Sequence, residues 1–178
     1  MNKGLIHNNI VESWLDYPDG KSNCLTVYFI GCVFSCEGCH NSDFKYEKNV
    51  DDKSFVTAED LLQLLKEKST YHNNTNKVVF QGGDPLFPKN IDCVKDFLKI
   101  NDFFDVCIYT GNEIDFIQKQ RLIGFKYIKA GRFDRRLLQN SEKTDEYIQF
   151  ASRNQTLYNS KIELISNEGR HYFGGNKQ

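Results

Sequence analysis

Short apolar runs alternate along the chain with longer stripes in which apolar residues recur every three to four positions. The runs are rich in β-branched residues and predict buried strands at residues 24–30, 77–81, 104–109 and 125–130. The stripes predict helices at residues 57–68, 91–100 and 113–121. Strands and helices that alternate in this order form right-handed βαβ units around a parallel sheet. The pattern therefore predicts an α/β fold.

The segments outside these units have weaker patterns. Residues 5–15 look extended, and the turn formers of residues 16–20 follow them. No period stands out over residues 135–159. A last strand is predicted at residues 161–165, and we expect the polar tail at residues 167–178 to be frayed.

The chain has 178 residues, a length that suits one domain with its core at about residues 16–165. A complete eight-stranded β/α barrel takes about 250 residues. If the units curve into a barrel, the barrel must therefore be partial and open, with a largely parallel sheet.

Charged residues of both signs are mixed along the sequence. The 23 basic and 24 acidic residues give a formal net charge of -1, so we expect no nucleic acid and no membrane as partners. No apolar run approaches the roughly 20 residues that a membrane helix needs, and no leader peptide is recognisable. We therefore expect a cytoplasmic protein. In that reducing compartment, the six cysteines indicate metal ligands or reactive thiols rather than disulfides.

Three of the cysteines lie in one loop directly after the first predicted strand. Cys32, Cys36 and Cys39 have the spacing Cys-x3-Cys-x2-Cys. An iron–sulfur cluster normally takes four cysteines, so three thiolates would leave one corner open to a small molecule. The alternative is a zinc site in which His40 completes a Cys3His set. Adjacent residues such as Cys39 and His40 can rarely both point at one tetrahedral metal, which disfavours zinc.

A second candidate site, Gly82-Gly83-Asp84-Pro85, follows the next predicted strand. Paired glycines let backbone groups approach a ligand closely, although an ordinary turn is the alternative. Both segments come just after the carboxyl end of a predicted strand, where parallel α/β proteins place their active sites. This coincidence indicates an enzyme.

Together the two segments resemble the radical S-adenosylmethionine (SAM) superfamily, whose glycine-rich motif is usually Gly-Gly-Glu-Pro. Within it, the chain resembles the activating enzymes of anaerobic (class III) ribonucleotide reductase. That second resemblance rests on residues 31–41, 109–111, 131–133 and 151–155. Two departures are visible. Asp84 replaces the usual Glu, and residues 16–20 only loosely match an Asp-Gly-Pro-Gly segment.

The resemblance implies that the three thiolates hold one 4Fe-4S cluster and that SAM binds its open iron. The residues that it places near SAM are His40, Asn41, Gly82, Gly83, Asp84, Pro85, Thr110 and Gly111. Thr110 is expected to bond the ribose or carboxylate, with a helix N-cap as the alternative. The resemblance also implies that Asn154 and Gln155 lie on the substrate or SAM side. No side chain is implied as catalytic beyond the cluster and SAM.

The implied reaction is a one-electron reduction of the cluster by a donor such as flavodoxin, followed by cleavage of SAM. The 5'-deoxyadenosyl radical then abstracts hydrogen from a glycine Cα of the reductase. Two alternatives stay open. One is a small-molecule radical SAM enzyme such as 7-carboxy-7-deazaguanine synthase, and the other is a non-catalytic zinc or iron–sulfur binding module.

The remaining cysteines and the single tryptophan suggest packing rather than chemistry. Cys24, Cys93 and Cys107 lie in or near apolar patterns, so they are predicted to be core thiols. Trp14 is predicted to be a core residue or a partner contact.

Overall fold

The structure is a computed structural model that describes residues 1–47, 50–51 and 54–174. In chain order the strands are β1 Lys3–Leu5, β2 Val11–Ser13, β3 Cys24–Phe29, β4 Phe55–Thr57, β5 Lys77–Gly82, β6 Asp105–Tyr109, β7 Tyr127–Ala130, β8 Glu142–Lys143, β9 Tyr147–Gln149, β10 Thr156–Asn159 and β11 Arg170–Tyr172. The helices are α1 Ala58–Tyr71, α2 Ile91–Ile100 and α3 Ile114–Lys119. Short 3-10 turns lie at Ser42–Phe44 and Arg135–Leu137.

The central sheet has six strands in the order β10-β7-β6-β5-β3-β2. Strands β3, β5, β6 and β7 are parallel, and the edge strands β2 and β10 run antiparallel to their neighbours. The pairing of Phe29 with Gly82 and of Tyr109 with Lys129 aligns the carboxyl ends of the parallel strands. The loops that follow these strands therefore meet at one edge of the sheet.

Helices cover one face of this sheet. Alternate strand residues such as Val27, Phe80 and Ile108 pack there against apolar residues of α1 and α2. The Phe80 ring makes edge-to-face contacts with Phe29 and Phe97 at centroid distances of 5.2 and 5.1 Å, a favourable aromatic geometry. This face forms the main core.

Helix α1 starts with a capping box at Thr57 and Asp60. The Thr57 hydroxyl accepts a hydrogen bond from the Asp60 amide, and the Asp60 side chain accepts one from the Thr57 amide. Both groups satisfy amides that a helix start leaves without partners. The local sequence signal therefore places the helix correctly.

The opposite face of the sheet carries a smaller core. Tyr17 packs there against Cys24 and Cys107, and all three side chains are buried. Cys93 of α2 is buried at 0% exposure, and its thiol donates to the Val56 carbonyl of β4 at 3.5 Å. The prediction of three core thiols is confirmed. Trp14 is 59% exposed, so its prediction as a core residue is wrong.

A three-stranded sheet in the order β11-β9-β8 ties the C-terminal region to the segment after β2. The Lys143 ammonium donates to the carbonyls of Trp14 and Tyr17 at 2.8 and 2.9 Å. The Phe173 ring packs so tightly on Gly20 that an added Cβ would lie 2.3 Å from it. The C-terminal region thus packs against residues 14–20.

Two predictions about the C-terminal region are wrong. The last strand of the central sheet is β10, at 156–159, whereas residues 161–165 turn back on it, with Ile162 at φ 63°. The Asn159 side chain accepts from the amides of Lys161 and Glu163, which stabilises this turn. The tail is not frayed over residues 167–174, because β11 pairs with β9 there. Residues 175–178 lie outside the described residues.

None of the helices in the described part of the chain has the length and apolarity that a membrane crossing requires.

Candidate functional site

The three thiols of the cysteine loop line one pocket at the carboxyl end of β3. Cys32, Cys36 and Cys39 are each half-buried, and each is a free cysteine. The loop leaves the strand through Gly31, whose φ of +102° suits only glycine, and an added Cβ would lie 2.5 Å from the Phe87 ring. This turn directs the loop over the sheet edge.

The three thiols form a donor set for an iron–sulfur cluster. Burial raises the pKa of Cys32 to about 11, and the negative charges of Asp84, Cys36 and Cys39 add to this effect. In a 4Fe-4S cluster each thiolate binds a different iron, so the ligands lie further apart than around one zinc. The donor set therefore fits a 4Fe-4S cluster.

The glycine pair after β5 also lines this pocket. Gly82 has φ +108°, and a Cβ on it would lie 2.5 Å from the Phe29 carbonyl oxygen. A Cβ on Gly83 would lie 2.5 Å from the Gly31 carbonyl oxygen and 2.6 Å from that of Phe44. The glycines are thus required because their loop packs directly on the backbone around the cysteine loop.

The next two residues of the motif do not line the pocket. Asp84 is 1% exposed, and Pro85 is buried beside it. The Asp84 carboxylate accepts hydrogen bonds from the amides of Leu86 and Gly111 and from the Thr110 hydroxyl. The Asp84 carboxylate is therefore bonded to the protein itself.

The loop after β6 brings Thr110 and Gly111 to the pocket wall. The Thr110 hydroxyl lies 2.9 and 3.0 Å from the two Asp84 oxygens. The N-cap of α3 is Glu113, not Thr110. Gly111 makes room for the Phe34 ring of the cysteine loop, since an added Cβ would lie 2.5 Å from it.

The remaining predicted site residues are divided between two hollows. His40, Asn41 and Gln155 line the thiol pocket. Asn154 lines a neighbouring hollow, and its side chain donates to the Arg132 carbonyl at 2.8 Å. Of the predicted set, the structure therefore leaves Asp84, Pro85 and Asn154 out of the pocket wall.

Sequence reasoning missed Lys129 and Arg132, which both line the pocket. The Lys129 ammonium lies 4.2 Å from the Tyr109 ring centroid, and desolvation lowers its pKa to about 8. The Arg132 guanidinium lies 4.4 Å from the Phe34 ring centroid. The alternation of β7 was a usable signal, because it places Lys129 on the face without helices at the carboxyl end of the strand.

A larger cavity of about 530 Å³ adjoins the thiol pocket. Its roof comes from residues 138–143 and 148–151. The two spaces share the wall residues His40, Gln81, Tyr109, Lys129 and Phe133. At the rim, Leu15 and Leu138 are 65% and 62% exposed. The thiol pocket therefore adjoins a larger cavity whose rim carries exposed apolar side chains.

Comparisons with known proteins agree with this chemistry. Residues 19–158 match the 4Fe-4S single cluster domain family. The anaerobic ribonucleoside-triphosphate reductase-activating protein of Haemophilus influenzae is 24% identical over 154 residues, which cover 83% of this chain and 94% of the relative. The protein of the same name from Escherichia coli K12 is 27% identical over 108 residues, 57% of this chain and 66% of the relative. The pyruvate formate-lyase-activating enzyme of Clostridium pasteurianum is 36% identical over 84 residues, 47% of this chain and 33% of the relative.

Proposed function

The chain belongs to the 4Fe-4S single cluster domain family, and from this we infer that it is a radical SAM activase that generates a glycyl radical on an anaerobic ribonucleotide reductase. One observation carries the inference. Three thiols, the glycine pair and Lys129 line one pocket at the carboxyl ends of adjacent parallel strands. The Haemophilus influenzae relative named for the reductase aligns with 83% of this chain, against 47% for the relative named for pyruvate formate-lyase.

Cys32, Cys36 and Cys39 would hold the 4Fe-4S cluster through their thiolates. When bound, the cluster supplies the electron that splits SAM into methionine and a 5'-deoxyadenosyl radical. Gly31 and Gly83 hold the cysteine loop against the loop after β5, because their missing side chains allow the two backbones to touch. The protein thereby fixes the position of the thiols before any ligand binds.

Lys129 offers the pocket a positive charge that suits the SAM carboxylate. The Gln81 amide reaches the same pocket from β5, which is separated from β7 by β6. Because both side chains belong to strands of the sheet rather than to loops, their positions are well fixed. The amino acid end of SAM would thus lie over the ends of β5 and β7.

The adjoining cavity suits a segment of a protein substrate. Hydrogen abstraction requires the reacting atoms within about 3 to 3.5 Å, so the target glycine must enter as far as the shared wall. A glycine has no side chain to obstruct this approach. The roof that residues 138–143 and 148–151 form over this cavity would exclude water from the radical.

We extend the proposal to the fold, the cellular compartment and the partners. A single domain with a partial, open barrel of the radical SAM type is supported by helices on one sheet face and site residues at the carboxyl strand ends. Six free cysteines are consistent with work in the reducing cytoplasm. A flavodoxin-type protein would serve as donor, without nucleic acid or membrane as partners.

The test is electron paramagnetic resonance on the reductase. Anaerobically reconstituted and reduced protein with SAM should give the reductase a stable glycyl radical, and replacing the reductase glycine by alanine should remove that signal. Cys36→Ala should give no radical, whereas Cys93→Ala, far from the pocket, should behave as the wild type. A reductase that stays radical-free while SAM is cleaved contradicts the proposal and favours the small-molecule alternative.

A further inference from the structure

We propose that Asp84 is a positioning residue whose buried carboxylate sets the spacing between the loop after β5 and the loop after β6, and so shapes the pocket without contacting its ligand. The effect on SAM binding rests on the proposed function. The effect on the two loops does not, because it concerns contacts within the protein.

The hydrogen bonds of Asp84 join two separate loops. Oδ1 accepts from the Leu86 amide of its own loop at 2.8 Å. Oδ2 accepts from the Gly111 amide at 3.0 Å and from the Asn112 side-chain amide at 3.3 Å. The Thr110 hydroxyl lies within hydrogen-bond distance of both oxygens. Most of the donors therefore come from residues 110–112.

Directional donors alone stabilise this carboxylate. Asp84 is 1% exposed, and none of the ion pairs among the described residues includes it. A buried charge without a counter-ion requires its hydrogen bonds, since leaving them unmade is costly. The positions of the two oxygens thus dictate where the Thr110 hydroxyl and the Gly111 amide must lie.

The connection continues around the pocket beyond Asp84. The Asn112 amide donates to the Thr110 hydroxyl oxygen at 3.1 Å, and the Gly131 amide donates to the Asn112 carbonyl at 3.0 Å. The Gln155 side-chain amide in turn donates to the Gly131 carbonyl at 3.5 Å. Thr110, Gly111, Gly131 and Gln155 all line the pocket, whereas Asp84 and Asn112 do not. A displacement at Asp84 would therefore move pocket walls that it does not itself form.

Side-chain length distinguishes this role from a role of charge. Asp84→Glu keeps the carboxylate but moves it by about 1.5 Å, the length of one carbon–carbon bond. A ligand-contacting carboxylate on a flexible side chain could adjust to this change. A carboxylate that sets the spacing of two packed loops could not, because at 1% exposure the longer side chain must displace its neighbours.

The experiment combines SAM binding with amide hydrogen exchange. In the anaerobically reconstituted full chain, Asp84→Glu and Asp84→Asn should each weaken SAM binding by about tenfold or more, as expected when a hydrogen bond to a charged group is lost. Iron content should stay at the wild-type level. Exchange at the Gly111 and Gly131 amides should become faster in both variants. Asp105→Asn and Asp105→Glu, at the amino end of β6 beside Lys77, are the matched controls. They should leave SAM binding, iron content and exchange at the Gly111 and Gly131 amides unchanged.

Weaker SAM binding with unchanged exchange at Gly111 would overturn the proposal, because it would mean that Asp84 contacts the ligand directly. SAM binding by Asp84→Glu equal to the wild type would also overturn it. If both Asp84 variants fail to fold, Asn112→Ala decides the matter. This variant removes one donor outside the pocket and should still speed exchange at Gly111 and weaken SAM binding severalfold, and unchanged values of both would refute the role. A wild-type protein that does not bind SAM would refute the proposed function, whereas the exchange data would still test the positioning role.

Discussion

At the scale of single residues, burial competes with hydrogen bonding for the proton of Asp84. Desolvation raises the pKa of this carboxyl from 3.8 to about 6, while the donors from Leu86, Thr110 and Gly111 act in the opposite direction. Because the pKa is higher in the folded protein, the folded state binds this proton more tightly than the unfolded chain. The resulting stabilisation is present below pH 3.8 and is lost as the pH rises through about 6.

We therefore expect a pH dependence of stability that belongs to Asp84. From pH 4 to pH 7, the free energy of unfolding of the wild type should fall by about 2 kcal/mol relative to Asp84→Asn, because part of the full effect of 1.36 kcal/mol per pKa unit lies below pH 4. Urea unfolding of both proteins across this range measures the difference. Parallel curves would show that Asp84 has no raised pKa.

The cysteines divide into ligands and core residues, which iron analysis can separate. Cys32→Ala, Cys36→Ala or Cys39→Ala should each lose most of the about four irons per chain that a 4Fe-4S cluster contains. Cys24→Ala, Cys93→Ala and Cys107→Ala should keep the iron and lose at most a few kcal/mol of stability. Stoichiometric zinc without iron–sulfur absorbance, or loss of iron in folded Cys107→Ala, would contradict this assignment.

Residue roles differed in how far the sequence could predict them. The three thiols are close in sequence, so their spacing alone pointed to one site. The bonds between Asp84 and residues 110–112 span more than 25 positions, and no local pattern reports such a contact. The alternation of β7 places Lys129 opposite Ile128, but only the topology shows which sheet face lacks helices.

At the scale of elements, the loop after β5 is constrained by packing against the cysteine loop. A side chain on Gly83 meets two backbone carbonyl oxygens rather than empty space. Backbone atoms cannot rotate aside as a side chain can, so the two loops would have to separate.

We expect Gly83→Val to reduce iron binding as well as SAM binding. The two loops must part to admit the side chain, which displaces the thiols from their positions over the strand ends. Iron content and iron–sulfur absorbance after anaerobic reconstitution measure the effect. Gly4→Ala, where the added Cβ meets Cys93 atoms at 3.1 Å and Gly4 lines neither cavity, is the control for a tight contact elsewhere. Full iron content in folded Gly83→Val would refute this account.

Elements were predictable where local signals and burial agreed. Strand β3, helix α2 and the capped start of α1 occur close to their predicted bounds, because apolar period and turn residues coincide there. Strands β8, β9 and β11 were not predicted. They are two or three residues long and are held by pairing across residues 142–172 rather than by an apolar pattern of their own.

At the scale of the whole molecule, two exposed apolar side chains lie at the rim of the larger cavity. Leu15 comes from the segment after β2 and Leu138 from the segment after β7, and both are more than half exposed. Exposed apolar residues grouped at the rim of a site are typical of protein contact surfaces. This arrangement is consistent with a macromolecular substrate.

We expect Leu138→Asp to weaken binding of the reductase by about tenfold or more, because a charge would be buried at the interface. Ile123→Asp is the matched control, since Ile123 is 74% exposed and does not line either cavity. Affinity measured by surface plasmon resonance, with iron content checked for both variants, tests the expectation. Equal affinities would place the contact surface elsewhere.

The contacts of Lys143 and Phe173 with residues 14–20 can form only late in synthesis, after the cysteine loop has been made. The cysteine loop and the glycine pair emerge from the ribosome well before the roof at residues 138–151, and Phe173, which packs on Gly20, comes later still. On a growing chain the thiols are therefore made while nothing covers them. We expect an iron–sulfur carrier protein to have its widest access during translation, before Lys143 and Phe173 reach the residues that they hold in the finished protein.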